Sequence, residues 1–354
     1  MKTMYDRVAD LPVTVGGYEL ERHTRSTPAF ERVTTTFTLA GENETGRGED
    51  VIYDEAAHDA LRDAPPDLPT GSFTLGEYTR ALDDVDLFPE TSPDSKKDEL
   101  YRRWAVESAV LDLALRQEGT TLGELLGRSY DPVHFVASPR LGEDGLARLE
   151  RLLEITPNLE FKLDPENDWT PDLVERLADL DRVRVLDLKG HYGDVEFAPD
   201  PDPDLYRLVA EELPDAILED PWLDEDTRPV LDGHEERISW DVPITGVESV
   251  EDLPFEPDWL NIKPSRFGTV RSLLETIEYC EERDIRLYGG GQFELGVGRA
   301  GVQEVASLFY PDAPNDISPI GYNDPEPDEG LPASPLSAPG SSPGFGSMSG
   351  DEPD

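Results

Sequence analysis

The stretch LNIKPSRFG, residues 260–268, reads as a short apolar strand of Leu260, Asn261 and Ile262 that ends in a lysine held before a proline. The proline cannot donate to a sheet ladder, so the strand stops there. An ammonium at such a point is costly to desolvate. Lysine is also scarce in this chain: Lys2, Lys96, Lys97, Lys162, Lys189 and Lys263 make six, against twenty-five arginines. A scarce residue in a costly position asks what else stands at that level of the fold.

On either side of it, strands of the same kind recur, each followed by a polar, helix-compatible segment: VHFVAS, LEFKLD, RVRVLDLKG, DAILEDPW, RISWDVPI, DWLNIKP and IRLYGGG. Lys162 to Asp187 spans 25 residues, Asp187 to Glu219 spans 32, and Glu219 to Asp241 and Asp241 to Lys263 span 22 each. Such alternation means βα units on a parallel sheet. Seven in tandem favour a closed (β/α) TIM-like barrel, with an open doubly wound sheet as the alternative. Upstream, residues 12–55 alternate in a strand-like way, as an antiparallel meander turning at Gly16–Gly17 and Gly41–Gly46. LYRRWAVESAVLDLALRQEG, residues 100–119, then carries apolar residues at helical spacing, with Gly119 placed to end the helix. The expected organisation is an α+β capping domain over residues 1–130, a barrel over 131–322, and a disordered acidic Pro/Ser/Gly tail over 323–354.

The charged residues that interrupt the apolar strands fall at strand C-termini, the face on which parallel barrels place active sites. Lys162 ends LEFK, Asp187 and Lys189 lie in RVLDLKG, Glu219 ends AILE, Asp241 ends RISWD and Lys263 ends LNIK. Three carboxylates from successive strands repel one another unless a cation joins them. Oxygen-only ligation with room for water suits Mg²⁺. Lys162, one strand before the acids, and Lys263, one strand after, would then flank the metal as an acid/base pair. The chemistry such a set permits is abstraction of a proton α to a carboxylate in a small-molecule substrate.

This order of Lys, Asp, Glu, Asp, Lys after an α+β domain resembles the enolase superfamily, in its muconate-lactonizing and mandelate-racemase-like branch. ILEDP at 217–221, SWDVPI, NIKPSRFG and the GRGED of residues 46–50 carry the likeness, which covers about residues 12–322. The resemblance implies a modified (β/α)7β barrel, Asp187, Glu219 and Asp241 as Mg²⁺ ligands, Lys162 and Lys263 as acid/base groups, and a symmetric homo-oligomer. The enolase-type pairing of a lysine base with Mg²⁺ is a general pattern of that superfamily. Departures from it leave the substrate open: KLD stands where relatives carry Lys-x-Lys, which places Asp164 two residues after Lys162, and DLKG puts Lys189 beside the acids. Lys189, His191, Arg266, Gln292, Glu294 and Asp164 are the candidate substrate contacts. The outcome expected is a racemase, epimerase or cycloisomerase, or a one-base lyase such as a dehydratase. The competitor from another class is a barrel that keeps the fold and has lost catalysis.

Composition narrows the partners. Asp+Glu 78 against Lys+Arg 31 gives a net charge of −47, spread along the chain. That surface repels phosphate backbones and disfavours nucleic-acid binding. It resembles proteins of salt-accumulating halophiles, where molar salt screens self-repulsion over a few ångströms. With one cysteine, Cys280, neither an intrachain disulfide nor a multi-cysteine metal cluster can form. The N-terminus lacks an apolar signal core, and no run of eighteen apolar residues occurs, so a soluble cytoplasmic protein without membrane contact is expected.

Overall fold

The computed structural model describes residues 2–27, 30–142, 145–192 and 199–346. Twelve strands are named here in chain order. The N-terminal part contains β1 (Pro12–Val15), β2 (Gly17–Ser26), β3 (Glu31–Ala40), β4 (Thr45–Asp50) and β5 (Gly71–Thr74). The barrel strands are β6 (Val136–Ala137), β7 (Glu160–Leu163), β8 (Val183–Asp187), β9 (Ile217–Glu219), β10 (Ile238–Trp240), β11 (Trp259–Ile262) and β12 (Arg286–Gly289).

The seven strands from β6 to β12 pair in parallel and in sequence order, with a helical connection between each pair, so their C-termini share one rim. Closure is made by a short eighth segment. Asn315 bridges to Phe135 and Asp316 to Gly290, both parallel, joining the two edges of the sheet. Asn315 secures the seam: its side chain accepts from Gly289 N at 2.6 Å and donates to the His134 carbonyl at 2.9 Å. This is a (β/α)7β barrel, with the last strand reduced to a stub.

In the capping domain the antiparallel meander is β2-β3-β4. Its first expected member, β1, instead pairs with β5 in a separate two-stranded sheet, in a register that sets Pro12 opposite Thr74. The long helix Lys96–Glu118 starts at the Ser95 cap and ends at Gly119, whose φ of 67° is the left-handed conformation that closes helices. It lies tightly on β4. A Cβ at Gly48 would stand 2.0 Å from the Ala105 carbonyl oxygen, and one at Gly46 would stand 2.2 Å from that of Ala109. The glycines of GRGED are therefore there for close backbone approach.

The acid of that motif joins the two domains. Glu49 accepts from Leu295 N (2.7 Å), Gly296 N (3.0 Å) and Gly298 N (2.8 Å), the open amides at the start of the barrel helix Val297–Phe309. Arg32, wholly buried on β3, makes a second joint by donating to the carbonyls of Ile52 and Val51 in its own domain and of Gln292 and Phe293 in the barrel.

The expected disorder of 323–354 does not hold across residues 325–346. Leu336 and Phe345 are buried, Leu336 bridges to Val133, and Phe345 N donates to Asp112 at 2.8 Å while its ring meets Trp104 edge-on. Two apolar anchors, with hydrogen bonds from Gly344 N to Thr120 O (3.1 Å) and from Gly346 N to Glu304 Oε2 (2.6 Å), lay the chain along the body. Residues 347–354 lie outside the described residues. Among the described residues no helix is long and apolar enough to cross a membrane.

Candidate active site at the barrel mouth

The strand ends bring Lys162, Asp187, Glu219, Asp241 and Lys263 into one buried cluster. Lys162 Nζ stands 2.5 Å from Glu219 Oε1, 3.1 Å from Asp187 Oδ2 and 3.5 Å from Asp316 Oδ2, with its side chain only 2% exposed. Across the cluster, Lys263 Nζ donates to Asp241 Oδ2 at 2.9 Å. Arg266 Nη1 is 3.1 Å from Asp241 Oδ1, an ion pair without an aligned hydrogen bond. Lys189 donates to Asp187 Oδ2 at 2.6 Å and pairs with Asp164 at 3.3 Å. The KLD and DLKG departures thus answer each other, since Asp164 on the β7 side and Lys189 on the β8 side form one ion pair.

The electrostatics follow from this packing. Burial, reinforced by Asp187 and Asp241 and opposed by Lys162, pushes the Glu219 carboxyl up to about 8. Against the burial of Asp241, Arg266 and Lys263 hold it down at about 2. Against the burial of Asp187, Lys162 and Lys189 hold it well below the usual carboxylate range. Burial opposes the charge on Lys162 and Lys189, but the neighbouring carboxylates more than offset it and raise both, so both are ammonium ions. Burial pulls His191 below its ordinary value, and its ring lies between Trp222 (5.8 Å) and Trp240 (5.4 Å).

Several members were not anticipated from the sequence. Asp220 accepts from Asp241 N (2.8 Å) and Val242 N (2.9 Å) and so sets the end of β10; burial, then Asp241 and Asp187, push it up to about 7. Tyr288 donates to Glu219 Oε2, which Asn261 Nδ2 also reaches at 3.2 Å. Tyr192 OH donates to Asp241 Oδ2 at 3.2 Å. Lys189 (φ 57°), Asp220 (φ 49°) and Phe293 (φ 57°) are left-handed non-glycine residues at this rim, a concentration of backbone strain typical of functional sites. Of the remaining candidates, Gln292 accepts from Arg266 Nε at 2.9 Å and Nη2 at 3.2 Å in the amide orientation that satisfies both groups, and so aims the guanidinium. Glu294 turns to its own loop: it accepts from Gln292 N at 2.7 Å and lies 3.9 Å from Arg299.

A hard divalent cation meets this donor set in two respects. Among the described residues no three acids or histidines stand together closely enough to hold an ion, because lysine ammoniums lie between the carboxylates. The chemistry of the set nevertheless fits. Three buried carboxylates come from consecutive strands, Asp241 Oδ1 has no aligned hydrogen bond, and Glu219 is raised by burial and then by Asp187 and Asp241, a repulsion that a cation would relieve.

Comparison with known proteins bears on the same regions. Residues 6–125 and 129–324 match the N-terminal and C-terminal domains of a family described as a domain of unknown function (DUF8230). The o-succinylbenzoate synthase of Bacillus subtilis (strain 168) is 27% identical over 246 residues, 65% of this chain and 63% of that protein, so the likeness spans less than two thirds of the relative. Muconate lactonizing enzyme superposes with a TM-score of 0.60 at 19% identity, over 84% of this chain and 85% of that one. A dipeptide epimerase from Methylococcus capsulatus, complexed with Mg and the dipeptide L-Arg-D-Lys, superposes with a TM-score of 0.65 at 19% identity, over 86% and 90%. At these identities the superpositions speak for the fold.

Proposed function

We propose, for a chain that belongs to the DUF8230 family and has the enolase-superfamily fold, that it is a Mg²⁺-dependent enzyme abstracting the α-proton of a carboxylate substrate. The observation that carries the reading is the placement of Lys263: a buried amine at the end of β11, facing the Asp187, Glu219 and Asp241 carboxylates from the side opposite Lys162. Asp187, Glu219 and Asp241 would hold the metal. Bound there, Mg²⁺ supplies electrophilic stabilisation of the charge that develops on the substrate carboxylate. Support comes from the relatives, which carry the names o-succinylbenzoate synthase, muconate lactonizing enzyme and dipeptide epimerase, the last complexed with Mg.

This chain's own residues then divide the work. Lys263 would take the α-proton at Nζ as the neutral amine, after releasing to solvent the proton it donates to Asp241 Oδ2; the N–H bond forms as the C–H bond breaks, and Lys263 ends as the ammonium. Arg266, aimed by Gln292, stays on Asp241 and keeps that carboxylate ionised. Asp220 fixes the backbone that carries Asp241. Lys162, proposed as the opposing acid/base group, returns a proton to the other face in the racemase, epimerase or cycloisomerase form of the reaction. Its enclosure by three carboxylates favours a second reading, a one-base lyase in which no proton moves on that face and Lys162 serves only as counter-charge.

The test is solvent exchange. A panel of small carboxylic acids, o-succinylbenzoate and dipeptides included, is incubated with the Mg²⁺-loaded protein in D₂O and followed by proton NMR. Uptake of deuterium at an α-carbon, abolished by Lys263→Ala, supports the enzyme, and uptake with inversion supports two bases. Exchange of both enantiomers of a chiral substrate that persists unchanged in Lys263→Ala overturns its assignment as the base.

A further inference from the structure

Residues 344–346, Gly-Phe-Gly, lie in a slot between the two domains. Gly48 of β4 and Trp104 and Ser108 of the helix Lys96–Glu118 form its capping-domain wall, and Gly298, Gly301 and Val302 of the helix Val297–Phe309 form its barrel wall. The Phe345 ring is buried there, edge-on to Trp104. Gly301 makes the room, since a Cβ on it would stand 3.0 Å from Phe345 Cε1. Glycine inside a helix is disfavoured relative to alanine, so a space kept open at that point calls for an occupant.

The main chain is held as closely as the ring. Gly344 N donates to the Thr120 carbonyl at 3.1 Å, Phe345 N to Asp112 Oδ1 at 2.8 Å and Gly346 N to Glu304 Oε2 at 2.6 Å. Asp112 belongs to the capping-domain helix and Glu304 to the barrel helix, and both are buried. Two consecutive amides are thus shared between carboxylates of the two domains, and an N–H bond to a carboxylate is stronger than one to a neutral oxygen. Gly344 and Gly346 have φ of 120° and 77°, and a Cβ at Gly344 would stand 2.5 Å from Asp112 Oδ1, so glycine is required on both sides of the ring. Upstream, Leu336 exchanges backbone hydrogen bonds of 2.8 and 2.9 Å with Val133, just before β6, and residues 337–343 join the two anchors.

We infer that the slot is a peptide-binding site for a Gly-Phe-Gly segment, that residues 344–346 of this chain are its ligand, and that their binding clasps the capping domain onto the barrel. The clasp lies on the same junction as Glu49, whose carboxylate takes the amide of Gly298, a residue of the slot. Across that junction Arg32 holds the Gln292 carbonyl, and Gln292 in turn aims Arg266 at the mouth. The clasp is independent of the reaction proposed above, and a barrel without activity would keep it.

The experiment is hydrogen exchange of the full chain in molar KCl, followed at the amides of Leu295, Gly296 and Gly298, which sit on Glu49 and not on the tail. Phe345→Ala removes the ring, and Gly301→Val fills the slot without touching the tail. Both are expected to speed exchange at these three amides by about ten-fold, a common size for coupling between two sites. A blocked peptide of residues 341–346, SSPGFG, is expected to restore the protection in Phe345→Ala and not in Gly301→Val, and the same peptide with alanine for phenylalanine in neither. Junction amides that keep wild-type rates in Phe345→Ala, while those of residues 344–346 exchange freely, would show a tail that packs without clasping. A peptide that gives Phe345→Ala no protection overturns the binding site. Wild-type protection that rises with protein concentration would put a second copy's tail in the slot and overturn the clasp within one chain.

Discussion

Replacing Lys162 by methionine keeps the volume of the side chain and removes its charge from among Glu219 (2.5 Å), Asp187 (3.1 Å) and Asp316 (3.5 Å). Deleting one partner of a buried ion pair costs about 3–5 kcal/mol, because the other is left as an uncompensated buried charge. Here the carboxylates have an escape: Glu219 is already pushed up to about 8, and without Lys162 it rises further. At pH 6 it is protonated in either protein, so the substitution is expected to cost only about 1–2 kcal/mol, from Asp187 losing one of two cations. At pH 9 the wild type holds an ionised Glu219 against Lys162, whereas in the variant Glu219 keeps its proton, and the loss is expected to grow by about 1.4 kcal/mol, the value of one pH unit above the wild-type pKa. Urea unfolding in molar KCl at the two pH values measures the difference. Saturating Mg²⁺ is expected to recover more stability in Lys162→Met than in the wild type, since a divalent cation replaces the missing charge. A loss that is the same at both pH values, or absent at pH 9, would show that Lys162 is not the counter-charge of an ionised Glu219.

Other expectations follow from the same geometry. In metal-free protein, Glu219 and Asp220 have folded pKa values of about 8 and about 7, above their unfolded values, so their contribution is present in acid and is lost as pH rises through those values. Asp241, held at about 2, contributes above its unfolded value and is lost only in strong acid. Metal-free stability should therefore peak near pH 5, roughly, and fall toward pH 9, a fall that Mg²⁺ removes; thermal unfolding across that range checks it. Glu49→Ala strips the acceptor from three amides at the start of the helix Val297–Phe309, and is expected to accelerate hydrogen exchange at Leu295, Gly296 and Gly298 and to destabilise by about 1–3 kcal/mol. Phe345→Ala removes the tail's buried ring from Trp104 and is expected to cost about 3 kcal/mol, with earlier proteolysis after residue 330 as the second readout.

Much of the barrel was legible because its signal is local. Short apolar strands stop at charged residues, and that interruption marks both the strand end and the rim that carries the candidate site. Asp187, Glu219, Asp241 and Lys263 were read in this way and are brought together. Asn261 and Tyr288 carried a weaker signal: Asn261 is two residues before Lys263, on the same face of β11, and Tyr288 sits in an apolar strand where a hydroxyl needs a partner. The rest depends on contacts far apart in the chain. Nothing in LEFK says that three carboxylates enclose Lys162, because one of them, Asp316, arrives with the segment that closes the barrel. Arg32 reads as an ordinary strand residue until its guanidinium is seen to hold carbonyls of both domains. The pairing of β1 with β5 likewise crosses a helix that local alternation cannot see. In the tail, composition hid two anchors, Leu336 and Phe345, whose burial depends on surfaces built by other segments.

The proposed chemistry stands or falls on Asp187, Glu219 and Asp241 forming a metal site. Calorimetric titration with Mg²⁺ in molar KCl, which suppresses diffuse cation binding to the acidic surface, decides it for the wild type and Glu219→Ala. One saturable site is expected in the wild type, and its loss in the variant. A wild type without a site, or a variant that binds equally well, would mean that these three carboxylates do not hold the ion.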